Sequence, residues 1–139
     1  MTKKLVIKCR TLVEGIVQGI ALVSKEPISF YGGVDPDTGI VVERNHPLYG
    51  KSISNKILFF PYGKGSTVGS YIIYRLAKKK LAPLAIVNVR SEPIILIGCI
   101  LSSIPLVDMI DEKYFDIIKS GSKVKVIAKK EFGLLEIEV

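Results

Sequence analysis

From Ile57 the sequence runs through an apolar segment, Ile57-Leu58-Phe59-Phe60, into the loop Pro61-Tyr62-Gly63-Lys64-Gly65-Ser66-Thr67, then a helical pattern, then a second apolar segment, Leu84-Ala85-Ile86-Val87-Asn88-Val89. Val68, Ile72, Ile73, Leu76 and Ala77 recur at the spacing of one helix face. Arg75 and Lys78-Lys79-Lys80 gather toward its end, where cations suit the helix dipole. The run at 84–89 has the continuous apolar character of a strand covered on both faces. Strand, helix, strand is a crossover unit, the connection that parallel strands require. The chain is therefore expected to be α/β, its helix running over 67–80 and stopped by Ala82-Pro83.

The remaining elements follow from shorter signals. Residues 3–10 and 16–23 read as strands that pair with each other around a Glu14-Gly15 break. Residues 27–31 form a short third strand that runs into the loop Gly32-Gly33-Val34-Asp35-Pro36-Asp37-Thr38-Gly39. Residues 40–43 are strand-like again, and 44–55 are too irregular for a regular element. The stretch 94–101 is apolar on all sides; Ser91, Glu92 and Pro93 offer an N-cap, a first-turn acid and a tolerated proline, so 92–102 is expected to be a buried helix. A short strand at 105–107, a helix over 112–119 capped by Asp111 and ended by Gly121, and a hairpin of 124–128 with 134–139 complete the chain.

With 139 residues, 48% of them hydrophobic, the chain suffices for one domain, 1–139, with a real core. No apolar stretch reaches the roughly 20 residues of a membrane helix. Met1-Thr2-Lys3-Lys4 leads straight into a strand pattern without a signal-like apolar core, so the expected location is cytoplasmic. The net charge of +7 raises the possibility of nucleic acid. Its lysine runs carry no interleaved aromatics for base stacking, and a solvated face is the better reading. Cys9 and Cys99 are the only cysteines and are expected to be buried free thiols. An iron–sulfur cubane with one open iron needs about three thiolates, so this chain is expected to hold no metal or cluster itself.

Two familiar chemistries fail on the spacing of the glycine loop. A phosphate-binding P-loop has four residues between its glycines before Lys-Ser/Thr, whereas Lys64 lies between Gly63 and Gly65. A nucleophile elbow needs a glycine two residues after the serine, where Val68 stands. His46, the single histidine, would have to be the base of any triad. What remains is Ser66, among backbone N–H groups near a helix start and beside a lysine. Spacing alone leaves it two roles, a helix cap or a hydroxyl whose alkoxide is stabilised enough to act as a base.

The succession Gly19 to Val23, then Glu26-Pro27-Ile28-Ser29-Phe30-Tyr31-Gly32-Gly33-Val34-Asp35-Pro36-Asp37-Thr38-Gly39, His46-Pro47-Leu48, Gly63-Lys64-Gly65-Ser66, Ala82-Pro83 and Gly98 resembles the small subunit of the aconitase X family. The resemblance spans nearly the whole chain and implies a single swivelling β/β/α barrel-like domain, similar to the aconitase swivel domain. It also implies a two-chain hydro-lyase whose large subunit carries a [4Fe–4S] cluster, with the open iron acting as Lewis acid on the substrate hydroxyl. Ser66 matches the catalytic base, and Gly63, Lys64 and Gly65 the substrate-facing loop. In archaeal members, the expected reaction is dehydration of (R)-5-phosphomevalonate to trans-anhydromevalonate 5-phosphate, on the mevalonate route to isoprenoids. A related small subunit acting on cis-3-hydroxy-L-proline is the alternative, and a non-catalytic nucleic-acid or protein-binding module a more distant one. The family pattern has arginine where Lys64 stands; lysine keeps the charge but not the planar bidentate contact, which leaves it an electrostatic role.

Overall fold

The computed structural model describes residues 3–139; Met1 and Thr2, the start of the basic N-terminal segment, lie outside them. In chain order the elements are β1 (Lys4–Val13), β2 (Gly15–Val23), β3 (Ile28–Ser29), α1 (Phe30–Gly33), β4 (Lys56–Phe59), β5 (Gly63–Lys64) and α2 (Gly69–Lys78). There follow β6 (Ala85–Val87), α3 (Pro93–Ser102), β7 (Leu106–Asp108), α4 (Tyr114–Ile117), β8 (Lys123–Ala128) and β9 (Gly133–Glu138).

Seven of these strands close a barrel in the order β1-β7-β6-β4-β2-β8-β9. The crossover expected from the sequence is present: β4 and β6 are parallel neighbours, in register from Ile57↔Ala85 to Phe59↔Val87, with α2 between them. β2 and β7 extend the parallel half on either side, and the chain's two ends supply the antiparallel half. The continuous apolar run of β4 is explained by its position. Ile57 and Phe59 belong to the cluster that also takes Ile7, Val126 and Leu135, whereas Leu58 and Phe60 belong to the one that takes Ile73, Leu76 and Ile95 of the helices. Successive residues of a strand face opposite sides, so a strand covered on both must be apolar throughout.

Several expectations are corrected. β1 and β2 do not pair with each other; β1 lies between β7 and β9, and β2 between β4 and β8. Tight hairpins use at least a two-residue loop, and Glu14 alone separates these strands. The chain therefore bends rather than reverses. Gly15 makes the corner, since a Cβ there would overlap the ring of Pro105. Residues 40–43 form no strand, only the bridges Val34↔Val41 and Ile40↔Ser52 within a folded loop.

The helices differ in their ends and faces. α2 stops at Lys78 because Lys80 turns left-handed (φ 61°), with Lys80 N–H bonded to the Ala77 carbonyl (3.0 Å) and Leu81 N–H to that of Leu76 (2.8 Å). The N-cap of α3 is Glu92 rather than Ser91: its carboxylate accepts from the N–H groups of Ile94 (2.8 Å) and Ile95 (3.3 Å), with Pro93 following. α3 is also not buried all round, for Ile97, Ile100 and Leu101 face outward while Ile95, Gly98 and Cys99 pack inward. α4 is one turn long; the Asp111 carboxylate is spent on the Lys113 N–H, and Ile118 is extended and buried. Cys99 is buried as expected and Cys9 half-buried; both are free. Among the described residues no helix is long and apolar enough to cross a membrane.

Candidate functional site

The glycine loop leaves the carboxyl end of β4 and is caught at once by a second, two-stranded sheet. Gly63 and Lys64 pair in parallel with Ile28 and Ser29. Two of the sequence blocks that carry the family resemblance, 26–39 and 63–66, are thereby neighbours in space. Both glycines are required by close approach. A Cβ on Gly63 would overlap the Glu92 carboxylate and Ile95 at the start of α3; one on Gly65, whose φ is 91°, would overlap the Ser29 hydroxyl.

Ser66 follows at the exposed tip. α2 begins at Gly69, so Ser66 is not its N-cap but stands ahead of a turn through Thr67 and Val68. The Ser66 Oγ accepts a hydrogen bond from Val68 N–H (3.2 Å), and its carbonyl accepts one from Gly69 N–H (2.9 Å). One lone pair is used in this way, and the second lone pair and the hydroxyl proton are left for another group. Exposed Tyr31, Tyr62 and Val68 lie on the same two segments.

Lys64 has a partner the sequence did not reveal. Its Nζ is 3.7 Å from the Glu43 carboxylate, which also packs against Gly33. Glu43 comes from the irregular segment between β3 and β4, and nothing in its local pattern marks it. The lysine charge near Ser66 is thus partly offset, though both groups are solvated enough for the pair to be weak.

The other candidates have structural employment. His46 is buried; its Nδ1 accepts from Leu48 N–H (3.0 Å), so Nε2 carries the proton and donates it to the Pro27 carbonyl (3.0 Å). It props the residue that precedes β3. Asp35 makes an Asx turn, its carboxylate accepting from Asp37 N–H (2.9 Å). Asp37 itself is held by Lys79 and Arg75 at the far end of α2; the hydrogen bond from Lys79, then the charges of Arg75 and Lys79, keep its carboxyl below the usual range. Arg75 is therefore an anchor of the 32–39 loop.

A cleft of about 540 Å³ lies beside this region, at the carboxyl ends of the parallel strands, with Lys25, Tyr62, Val89, Lys113 and Asp116 in its walls. The Cys9 thiol is pushed up to about 12 by burial and then by the Asp108 carboxylate, and Cys99 to about 12 by burial and then by Glu92. Burial of this kind makes a thiol a poor nucleophile. Among the described residues, no three His, Cys, Asp or Glu side chains gather as a metal would need.

Comparison with known proteins places this geometry in context. The aconitase X swivel domain family matches residues 6–136. The phosphomevalonate dehydratase small subunit of Methanococcoides burtonii is 51% identical over 126 residues, covering 91% of this chain and 92% of the relative. That of Methanothrix thermoacetophila is 52% identical over 129 residues, 93% of each. Among solved structures, the holo-form of Thermococcus kodakaraensis aconitase X superposes with a TM-score of 0.89 at 47% identity, covering 96% of this chain and 98% of that one. The solution NMR structure of a UPF0107 protein superposes with a TM-score of 0.86 at 46% identity and the same coverage.

Proposed function

The chain belongs to the aconitase X swivel domain family, and from that premise we propose that it is the small subunit of a phosphomevalonate dehydratase. It works with a large subunit to convert (R)-5-phosphomevalonate into trans-anhydromevalonate 5-phosphate and water, a step toward isoprenoids. The observation that carries this reading is that relatives bearing that name are about half identical along nearly the full length of both chains. No feature of the site favours cis-3-hydroxy-L-proline instead.

Ser66 acts as the base. The proton on the carbon next to the hydroxyl-bearing carbon passes to Oγ, the C–H electron pair becomes the new double bond, and the hydroxyl departs as hydroxide; the proton taken up by Oγ then completes the water and restores the alkoxide. A serine does this only if its alkoxide is stabilised and water is kept away. The first condition is supported by the Val68 N–H, the positive end of the α2 dipole and the Lys64 charge. The second is unmet in this chain, where Ser66 is exposed, and falls to the large subunit closing over the loop. Gly63, Lys64 and Gly65 form the wall that meets the substrate.

The [4Fe–4S] cluster, which supplies Lewis-acid chemistry when bound, is assigned to the large subunit, since the two cysteines here are too few to ligate it. Free cysteines accord with a reducing, cytoplasmic setting. Co-expression with the large subunit and an anaerobic dehydration assay tests the reading. Turnover of 5-phosphomevalonate is expected from the pair and from neither chain alone; turnover of cis-3-hydroxy-L-proline in its place would refute the assignment.

A further inference from the structure

The connection from β6 to α3 is held by more buried polar structure than a surface turn requires. Asn88, fully buried, donates from Nδ2 to the Phe60 carbonyl (2.8 Å), and its Oδ1 accepts from the Ser91 hydroxyl (2.8 Å). Ser91 N–H donates to Asp108 Oδ2 (2.9 Å), and Asp108, also fully buried, is clasped by Nε and Nη2 of Arg10 at 2.8 Å each. Between these fixed points stands Arg90. Its N–H and that of Val89 both donate to the Pro61 carbonyl, at 3.2 and 3.0 Å, which seats Arg90 against Pro61-Tyr62, immediately before Gly63.

The guanidinium on this rigid turn is exposed and makes no ion pair among the described residues. Two acids that hold this connection are already engaged: Glu92 caps α3, and Asp108 serves Arg10 and Ser91. Lys64, the cation of the neighbouring loop, has Glu43. Arg90 also lies past the carboxyl end of β6, the parallel neighbour of β4, at the same end of the barrel from which the glycine loop leaves β4. A planar guanidinium carried on a backbone fixed in this way suits a bidentate oxyanion.

We infer that Arg90 binds an oxyanion of the substrate, its carboxylate or its phosphate, from the small-subunit side of the site. The identity of that anion rests on the dehydratase reading; the site itself rests on geometry. Two experiments decide it. In the first, inorganic phosphate and, separately, acetate are titrated into the ¹⁵N-labelled full chain, followed at the Arg90 Nε–H and the Arg90 and Ser91 amides. A saturable shift with at least one anion is expected, lost from the Ser91 amide in Arg90→Ala and weakened in Arg90→Lys; phosphate alone or acetate alone identifies which group is held. No saturable shift, an undiminished Ser91 response in Arg90→Ala, or an equal shift at the side chain of Arg44, an exposed arginine between β3 and β4, overturns the inference. In the second, the two-subunit complex carrying Arg90→Ala should show KM for 5-phosphomevalonate raised about 30-fold, the scale of a lost charged hydrogen bond, with Arg90→Lys between. An unchanged KM overturns the inference and leaves the dehydratase reading intact. A wild-type complex without turnover sinks that reading, while the titration still decides Arg90.

Discussion

Ser29 and Lys64 face each other in the parallel pairing of β3 with β5, so two segments far apart in the chain form one surface around Ser66. The pairing is short, and its precision comes from glycine. Gly65 passes the Ser29 hydroxyl at a separation that leaves no room for a side chain.

Gly65→Ala is therefore expected to cost about 1–3 kcal/mol, the scale of a residue forced into left-handed backbone, and to shift Ser66 away from its place. Adding Ser29→Ala should recover only part of the loss, because the overlap is relieved but φ stays at 91°. Denaturant unfolding of both variants and the wild type measures the two contributions.

Ser66→Ala separates a base from a turn residue. As the base, its loss should lower kcat of the complex by about 10²-fold or more while the melting temperature of the chain hardly moves. Loss of a capping-type hydrogen bond alone would instead cost about 0.5–2 kcal/mol of stability with turnover retained. Kinetics and calorimetry on the same preparation distinguish the outcomes.

Asp37 makes stability depend on pH in a known direction. Its carboxyl titrates lower in the folded chain than in the unfolded one, owing to the Lys79 hydrogen bond and the Arg75 and Lys79 charges. The stabilisation is therefore present above the unfolded value, about 3.9, and is lost as pH falls through the lower folded value. Wild type should exceed Asp37→Asn in stability by a constant, salt-sensitive margin from pH ~5 to ~8, and the two should converge as pH drops below about 4. Urea unfolding across that range, at low and high salt, measures the margin.

The thiols should be inert. With both Cys9 and Cys99 near 12, alkylation by iodoacetamide at pH ~8 is expected to be far slower than for an ordinary cysteine of pKa ~8.5. Mass spectrometry of the native chain over time follows it. Supplying iron and sulfide to this chain alone should produce no cluster absorption.

Much of this was legible from residues close together in sequence. The elements of the β4–α2–β6 crossover and the C-terminal hairpin each rest on periodicity within a dozen residues, and the helical character of the 94–101 stretch rests on the start signals at Ser91, Glu92 and Pro93. The outward face of α3 was not legible, because Ile97, Ile100 and Leu101 are as apolar as the residues that pack inward. Nor was the bend at Gly15, since the strands on either side carry the pattern of a hairpin and only the single intervening residue forbids one.

By itself the sequence determined the crossover, the glycine-flanked serine at its head, the shortage of thiolates and a family resemblance, all of them properties of local pattern or of composition. Barrel closure decided the rest. It set β1 and β2 apart, brought Ser29 against Lys64, handed Lys64 to Glu43, and turned His46 and Arg75 into supports. These are contacts between residues distant along the chain, and the partner of such a residue is selected by where the closed sheet delivers its neighbours, which no local periodicity encodes.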